Sequence, residues 1–210
     1  AAMFAYFIAQ GVVWAYLFLI GLSGGLSEQA VANGLMLSQF AGIAGALLAA
    51  VIAHRFGRSA PLTIGILGGA LCLYFLVGSF TFLAFAIVVC VYNFFWNLTH
   101  PFLLAAMASF DRRGQIVVYA VAMQMLGLAI GPYLASTVIS EGVYINVNWT
   151  GAALFVAALV LLMTMSSTMM HDVGSVAVVV SHLMVVPAFV LASHTTWLVL
   201  LLAASTIFSL

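Results

Sequence analysis

The sequence predicts an all-α integral membrane protein with six spanning helices and a short apolar tail. Of its 210 residues, 67% are hydrophobic and only 4% are charged, whereas a soluble domain has about 25% charged residues. Six apolar runs are each long enough to cross a bilayer, which takes about 20 residues. The breaks between these runs hold the turn-forming residues and nearly all of the charge.

The six predicted spans cover approximately residues 2–22, 30–53, 61–78, 82–109, 116–139 and 149–170. We treat residues 1–170 as one domain and residues 171–210 as a further hydrophobic tail. Within the tail, residues 174–192 could span a membrane. Residues 195–210 would form a truncated second span of about 24 Å. The chain begins and ends inside apolar runs, which suggests either a fragment of a longer protein or loops lost from the numbering.

The basic residues indicate how the chain is oriented. All four lie in the second and fourth breaks, which share one side of the membrane: Arg55, Arg58, Arg112 and Arg113. Basic loops favour the cytoplasmic side, so we predict a multi-pass protein in the lipid bilayer with these loops in the cytoplasm. The formal net charge is zero, which gives no reason to expect a nucleic-acid partner.

The second break carries a recognisable loop motif, within the stretch "GALLAAVIAHRFGRSAPLTIG". This stretch resembles the loop between the second and third helices of a half in the major facilitator superfamily, whose motif is roughly G-x-L-a-D-R-x-G-R. Arg55, Gly57 and Arg58 occupy the R-x-G-R positions. Ala50 stands in place of the family glycine and His54 in place of the family aspartate, a degeneration that resembles the C-terminal half of these transporters.

The fifth predicted span carries a second motif of the same family. The stretch "LGLAIGPYLAS" resembles G-x-x-x-G-P-x-x-G-G, with Gly127, Gly131 and Pro132 on the matching positions. Small residues allow two helices to approach closely, and proline removes one backbone hydrogen bond. The resemblance, over about residues 1–170, implies one six-helix half of a twelve-helix transporter. It also implies a partner, either a missing N-terminal half or another membrane subunit.

The resemblance gives the arginine loop a role as a gate. In the family this loop is a cytoplasmic latch whose arginines pair with acidic side chains or helix C-termini. Arg55, Gly57 and Arg58 are therefore candidate gating residues. The alternative is that Arg55 and Arg58 only set the topology and reach lipid phosphates.

The fourth span carries the strongest candidate binding site. In "VYNFFWNLTHP", Asn93, Asn97 and His100 lie on one helical face, with Trp96 beside it. Polar groups are costly in lipid, so this face should point to protein or to a water-filled cavity. The family resemblance implies that the fourth helix lines the central cavity, where these four residues would contact a small-molecule solute. The alternative is hydrogen bonding between helices.

The first span adds two candidates by the same resemblance, since family first helices also line the cavity. Gln10 and Trp14 are one turn apart near the middle of this span. Weaker candidates, for which packing or an interface is the favoured interpretation, are Asn33 and Gln39 in the second span and Gln115, Tyr119 and Gln124 in the fifth.

The sequence predicts a secondary active transporter that moves a small solute by alternating access. The alternative is a non-transporting scaffold or assembly subunit built on a half-transporter fold. We predict no enzyme, no cofactor and no metal site, because nucleotide, dinucleotide and metallopeptidase signatures are absent. The pair Ser181 and His182 in the tail resembles the opening of an alkaline ceramidase-like site, but the later histidines of such a site are missing.

Overall fold

A computed structural model describes residues 1–53, 58–109, 111, 115–140 and 142–168. Among these residues there are seven α-helices and no β-strand. Their bounds are α1 Ala2–Trp14, α2 Leu17–Ser23, α3 Glu28–Ile52, α4 Ser59–Tyr74, α5 Phe82–Ala108, α6 Gln115–Val138 and α7 Ile145–Thr168. The predicted tail, the gating residues Arg55 and Gly57, and the fourth-break arginines lie outside the described residues.

Each of the six predicted spans contains at least one helix. Five described segments are long and apolar enough to cross a membrane: Ala2–Ser23, Glu28–Ile52, Phe82–Ala108, Gln115–Val138 and Ile145–Thr164. The sixth, α4, is apolar but has only 16 residues, or about 24 Å of helix. The all-helical class is confirmed, and the set of helices is compatible with a multi-pass membrane protein.

Two boundaries differ from the prediction. The first span is not continuous, because α1 ends at Trp14 and α2 begins at Leu17. At this break the Tyr16 amide bonds to the carbonyl of Val13, three residues back, at 3.1 Å. The third span ends at Tyr74 rather than near residue 78. The Phe75 and Leu76 amides then each donate to the carbonyl three residues back, as in a 3₁₀ turn.

The turns at one end of the bundle rely on glycine. Gly25, Gly78 and Gly142 have φ of 93°, 85° and 78°, a backbone region that residues with a Cβ rarely adopt. The Phe80 amide donates to the carbonyl of Gly24 at 3.2 Å. The first and third breaks therefore meet at one end of the bundle, as an up-and-down arrangement of spans requires.

The helices pack in a pattern that repeats after three spans. The first span lies along the fifth (α1 on α6), and the fourth lies along the second (α5 on α3). In the same way α1 contacts α7 and α5 contacts α4, while α4 and α7 contact each other. Exchanging each span with the one three places along the chain therefore converts each of the first four pairs into another of the four and leaves the α4–α7 pair unchanged. We call spans one to three and spans four to six the two three-helix units. Successive spans cross the bundle in alternating directions, so each span of one unit runs opposite to the matching span of the other, three places away.

Candidate functional site

A chain of buried polar groups joins α1 to α5. Gln10 Nε2 donates to the Tyr6 hydroxyl at 2.9 Å, and the Tyr92 hydroxyl donates to Gln10 Oε1. Gln10 is 1% exposed and both tyrosines are fully buried. Both ends of the Gln10 amide are thus occupied by protein groups. The two tyrosines were not among the predicted site residues, although Tyr6 lies one turn before Gln10 and Tyr92 one turn before Trp96.

The two asparagines of α5 face α3. Asn93 is 3% exposed, and its Nδ2 donates to Ser38 Oγ at 3.1 Å. Asn97 Nδ2 donates to Asn93 Oδ1 at 2.8 Å and to the Asn93 carbonyl oxygen at 3.0 Å. Gly42 of α3 lies directly against this pair, since a Cβ there would be 2.6 Å from Asn97 Nδ2. Asn97 itself is only half-buried.

His100 lies on the same stripe but contacts different helices. Its Nε2 is 3.0 Å from Gln124 Oε1 of α6. Its ring meets Phe7 of α1 edge-on, with ring centroids 5.4 Å apart. With the amide oxygen as the acceptor, Nε2 carries the proton in this contact. The predicted stripe therefore divides, with the asparagines on α3 and the histidine between α1 and α6.

Two tryptophans meet at the accessible part of this region. The rings of Trp14 and Trp96 are T-shaped, with centroids 5.3 Å apart, a favoured geometry for aromatic pairs. Trp14 is 38% exposed, and Trp96 is half-buried. Of the six predicted solute-contacting residues, four keep accessible surface: Trp14, Trp96, Asn97 and His100. We call these four the central face; Gln10 and Asn93 lie beneath the surface.

Arg58 contacts the C-terminal end of a neighbouring helix. Its Nη1 donates to the carbonyl oxygen of Ala105, in the last turn of α5, at 3.0 Å. The same carbonyl oxygen also accepts from the Ser109 amide at 3.1 Å, so Arg58 is a second donor to it, and a cation at this end of a helix is favoured by the helix dipole. The side chain is exposed, so the contact is a surface one between the second break and the end of the fourth span.

The glycines of the fifth-span motif lie against the backbone of α1. A Cβ at Gly127 would be 2.8 Å from the Phe4 carbonyl oxygen, and one at Gly131 would be 2.5 Å from Gly11 Cα. α6 continues through Pro132 to Val138. The same close approach occurs between α3 and α5, where a Cβ at Gly45 would overlap the Phe94 carbonyl oxygen.

Charge and metal-binding groups are sparse in the described part of the chain. The charged residues described there lie at or next to helix ends: Glu28, Arg58 and Asp111. No group of three or more His, Cys, Asp or Glu among the described residues could hold a metal ion. Comparison of the chain with protein-family models, with curated proteins and with solved structures found no match.

Proposed function

We propose that the chain is one six-helix half of a secondary transporter of the major facilitator type, which moves a small solute by alternating access. The observation that carries the proposal is the packing pattern that repeats after three spans. Transporters of this type contain inverted repeats of three helices within each six-helix half. The loop and fifth-span motifs are independent support, because the repeat comes from packing and the motifs come from sequence.

The central face is the proposed solute-binding surface. It offers two aromatic rings, one amide and one imidazole, all with accessible surface. No described residue near the middle of a span carries a formal charge, so this half favours a neutral or zwitterionic solute. Gln10, Asn93 and Gln124 would act from beneath, because their hydrogen bonds hold α1, α5, α3 and α6 in register.

The proposed partner is a second six-helix bundle, which would close the cavity over the central face. α3 is well placed to meet it, because only a narrow stripe of small residues faces α5 and most of the helix is exposed. Gln39 is exposed near the middle of α3, and its one hydrogen bond is a long 3.5 Å contact to the Leu35 carbonyl oxygen. An amide in that position is costly against lipid and better suited to a protein or aqueous surface.

One specific observation favours the scaffold as a second candidate function. Gln10, Asn93 and Asn97 bond to other protein groups, as expected if the polar stripe serves helix packing alone. In a scaffold, the polar stripe of α5 needs only to be buried away from lipid. A transporter needs its accessible members to meet water from each side of the membrane in turn.

Cysteine accessibility separates the two functions. Asn97→Cys is placed in the full chain with Cys72→Ala and Cys90→Ala, in right-side-out and inside-out vesicles from its native host. For a transporter, a small cationic methanethiosulfonate reagent reacts from both sides, because the central face opens alternately. Val91→Cys is the matched control, because it lies on α5 but is exposed on another face, where thiols in lipid stay protonated and unreactive.

The outcome also bears on the proposed gate. Failure of Asn97→Cys to react from either side, or equal reaction of Val91→Cys, would overturn the transporter and leave the scaffold. If the Arg58 contact steadies one state, Arg58→Ala should change the ratio of the two reaction rates. Arg58→Lys should restore that ratio only if a point charge is sufficient, since lysine lacks the forked guanidinium.

A further inference from the structure

A second candidate site lies at the end of the bundle remote from Arg58. A pocket of about 390 Å³ opens between the end of α2, the end of α4 and the start of α7. Its lining includes Ile20, Ser23, Leu76, Val143, Tyr144 and Asn148. None of the four residues of the central face contributes to it. The pocket is therefore separate from the proposed solute-binding surface.

Asn148, one of the lining residues, has an unpaired hydrogen-bond acceptor. The residue is 2% exposed, and its Nδ2 donates to the Leu76 carbonyl oxygen at 2.7 Å. This bond fixes the orientation of the amide, because a carbonyl oxygen can only accept. Asn148 Oδ1 is left buried with no hydrogen-bond partner among the described residues. A buried polar atom without a partner is unfavourable, so a donor bound at this oxygen would be stabilising.

The size and chemistry of the pocket indicate what that donor belongs to. One bridging water occupies about 30 Å³, a small part of the 390 Å³ available. Ile20, Leu76 and Val143 make much of the wall apolar. Among the described lining residues there is no Asp, Glu, Lys, Arg or His. A charged ligand would find no counter-charge among these described residues, which is costly, whereas a hydroxyl supplies a donor without a charge.

We propose that this pocket binds a neutral amphiphile, with its hydroxyl donating to Asn148 Oδ1 and its hydrocarbon part against Ile20, Leu76 and Val143. The site does not depend on transport, because it uses none of the central face. Two sources share this chemistry. One is a membrane lipid with a free hydroxyl, and the other is a water-soluble alcohol.

Photolabelling tests the proposal on the full chain in lipid vesicles. The probe is an octanol that carries a diazirine on its chain, and its methyl ether is the paired compound that cannot donate. We expect the alcohol to label the peptides around Leu76 and Tyr144, as located by mass spectrometry. Asn148→Leu should reduce this labelling about two- to tenfold, the effect of one neutral hydrogen bond, and should leave labelling by the ether unchanged.

Two further variants keep the test decisive. Asn146→Leu is the matched control, because Asn146 lies two residues earlier on α7 but is exposed and bonds to the Val138 carbonyl oxygen. Labelling of this variant should remain at the wild-type level. Ser23→Leu narrows the pocket without changing the Asn148–Leu76 hydrogen bond, since Ser23 Oγ donates only to the Ile20 carbonyl oxygen. It should lower labelling by both probes, even if Asn148→Leu fails to fold.

Competition identifies the source of the ligand. Protection by dioleoylglycerol in the vesicle points to a membrane lipid, and protection by butanol in the bath points to a water-soluble alcohol. Equal labelling by the alcohol and the ether would overturn the proposal, as would labelling that neither Asn148→Leu nor Ser23→Leu reduces. Either result would leave Asn148 Oδ1 bonded to water alone.

Discussion

The buried polar side chains of this bundle are mostly partners of one another. Gln10 bonds to two tyrosines, and Asn93 bonds to Ser38 and accepts from Asn97. Such bonds hold particular helices side by side, because an unpaired amide inside a membrane bundle has no water to turn to. At the scale of residues, the polar groups therefore set which helices meet before any of them can serve a solute.

Gln10→Leu should lower the stability of the bundle. The change removes both bonds of the amide and leaves the Tyr92 hydroxyl buried without its acceptor, at a cost of about 1–3 kcal/mol, whereas the Tyr6 hydroxyl keeps its hydrogen bond to Thr99. Reversible unfolding in mixed micelles measures the loss. Gln39→Leu is the matched control, because Gln39 is exposed and makes only one long contact. Equal stability of the two variants would show that the buried network contributes nothing measurable.

The spacing of residues in the sequence predicted part of this arrangement. Asn93, Asn97 and His100 share a helical face, so a sheltered stripe followed from their positions alone. Spacing on one helix cannot say which neighbour each side chain meets, because that depends on how the helices cross. The division of the stripe between α3 and α6 therefore could not be predicted. Tyr6 and Tyr92 were missed because tyrosine in a membrane helix usually indicates an interface with water.

Glycine sets the distance between the most closely packed helices. α1 meets α6 through Gly11 and Gly131, and α5 meets α3 through Gly45. At each of these positions a Cβ would run into the backbone of the neighbouring helix, which cannot rotate away as a side chain can. Small residues at such crossings replace the hydrophobic effect as the source of association, since lipid is as apolar as the helix surface.

Gly45→Ala should separate α3 from α5 and destabilise the bundle. The added methyl would overlap the Phe94 carbonyl oxygen, and overpacking of this kind costs about 1–3 kcal/mol. Gly69→Ala in α4 is the matched control, since nothing lies within 4 Å of a Cβ there. It should be neutral, or up to about 1 kcal/mol more stable, because alanine favours the helix. Unfolding in mixed micelles measures the free energy of each variant, which should be lower than wild type for Gly45→Ala and equal to or higher than wild type for Gly69→Ala. A loss of stability in Gly69→Ala alone would contradict the packing.

Hydropathy predicted that each span exists but not where two of them break or end. The α1 to α2 break at Ala15 and Tyr16 has no glycine or proline to mark it. The flanking rings point to different partners, with Trp14 against Trp96 and Tyr16 near Tyr144. α4 ends before the apolar run does. Leu76 and its neighbours are apolar, but they already lie in turns that lead to Gly78. Hydropathy indicates which residues can lie in lipid, but it does not indicate where the backbone leaves the helical conformation.

At the scale of the whole molecule, two three-helix units pack in opposite directions. The repeat in packing is not visible in the sequence, where the two units share no obvious motif. The repeat in packing arises because one helix of each unit packs closely, through a stripe of small residues, against the first helix of the other unit. α6 packs against α1 at Gly127 and Gly131, and α3 packs against α5 at Gly42 and Gly45. The central face takes Trp14 from α1 of one unit and its other three residues from α5 of the other unit.

The alternating direction of the six spans can be tested with two matched serine variants. Ser79 lies in the third break and Ser109 at the end of α5, and both are exposed. We expect Ser79→Cys to react with a membrane-impermeant maleimide from outside only, and Ser109→Cys from inside only, because an up-and-down bundle puts these breaks on opposite sides. The wild-type chain is the control, since Cys72 is buried and Cys90 half-buried within spans, and it should not react. Reaction of both variants from the same side would contradict the six-span fold. Reaction from opposite sides in the reverse sense would keep the fold and overturn only the cytoplasmic placement of the arginine loops.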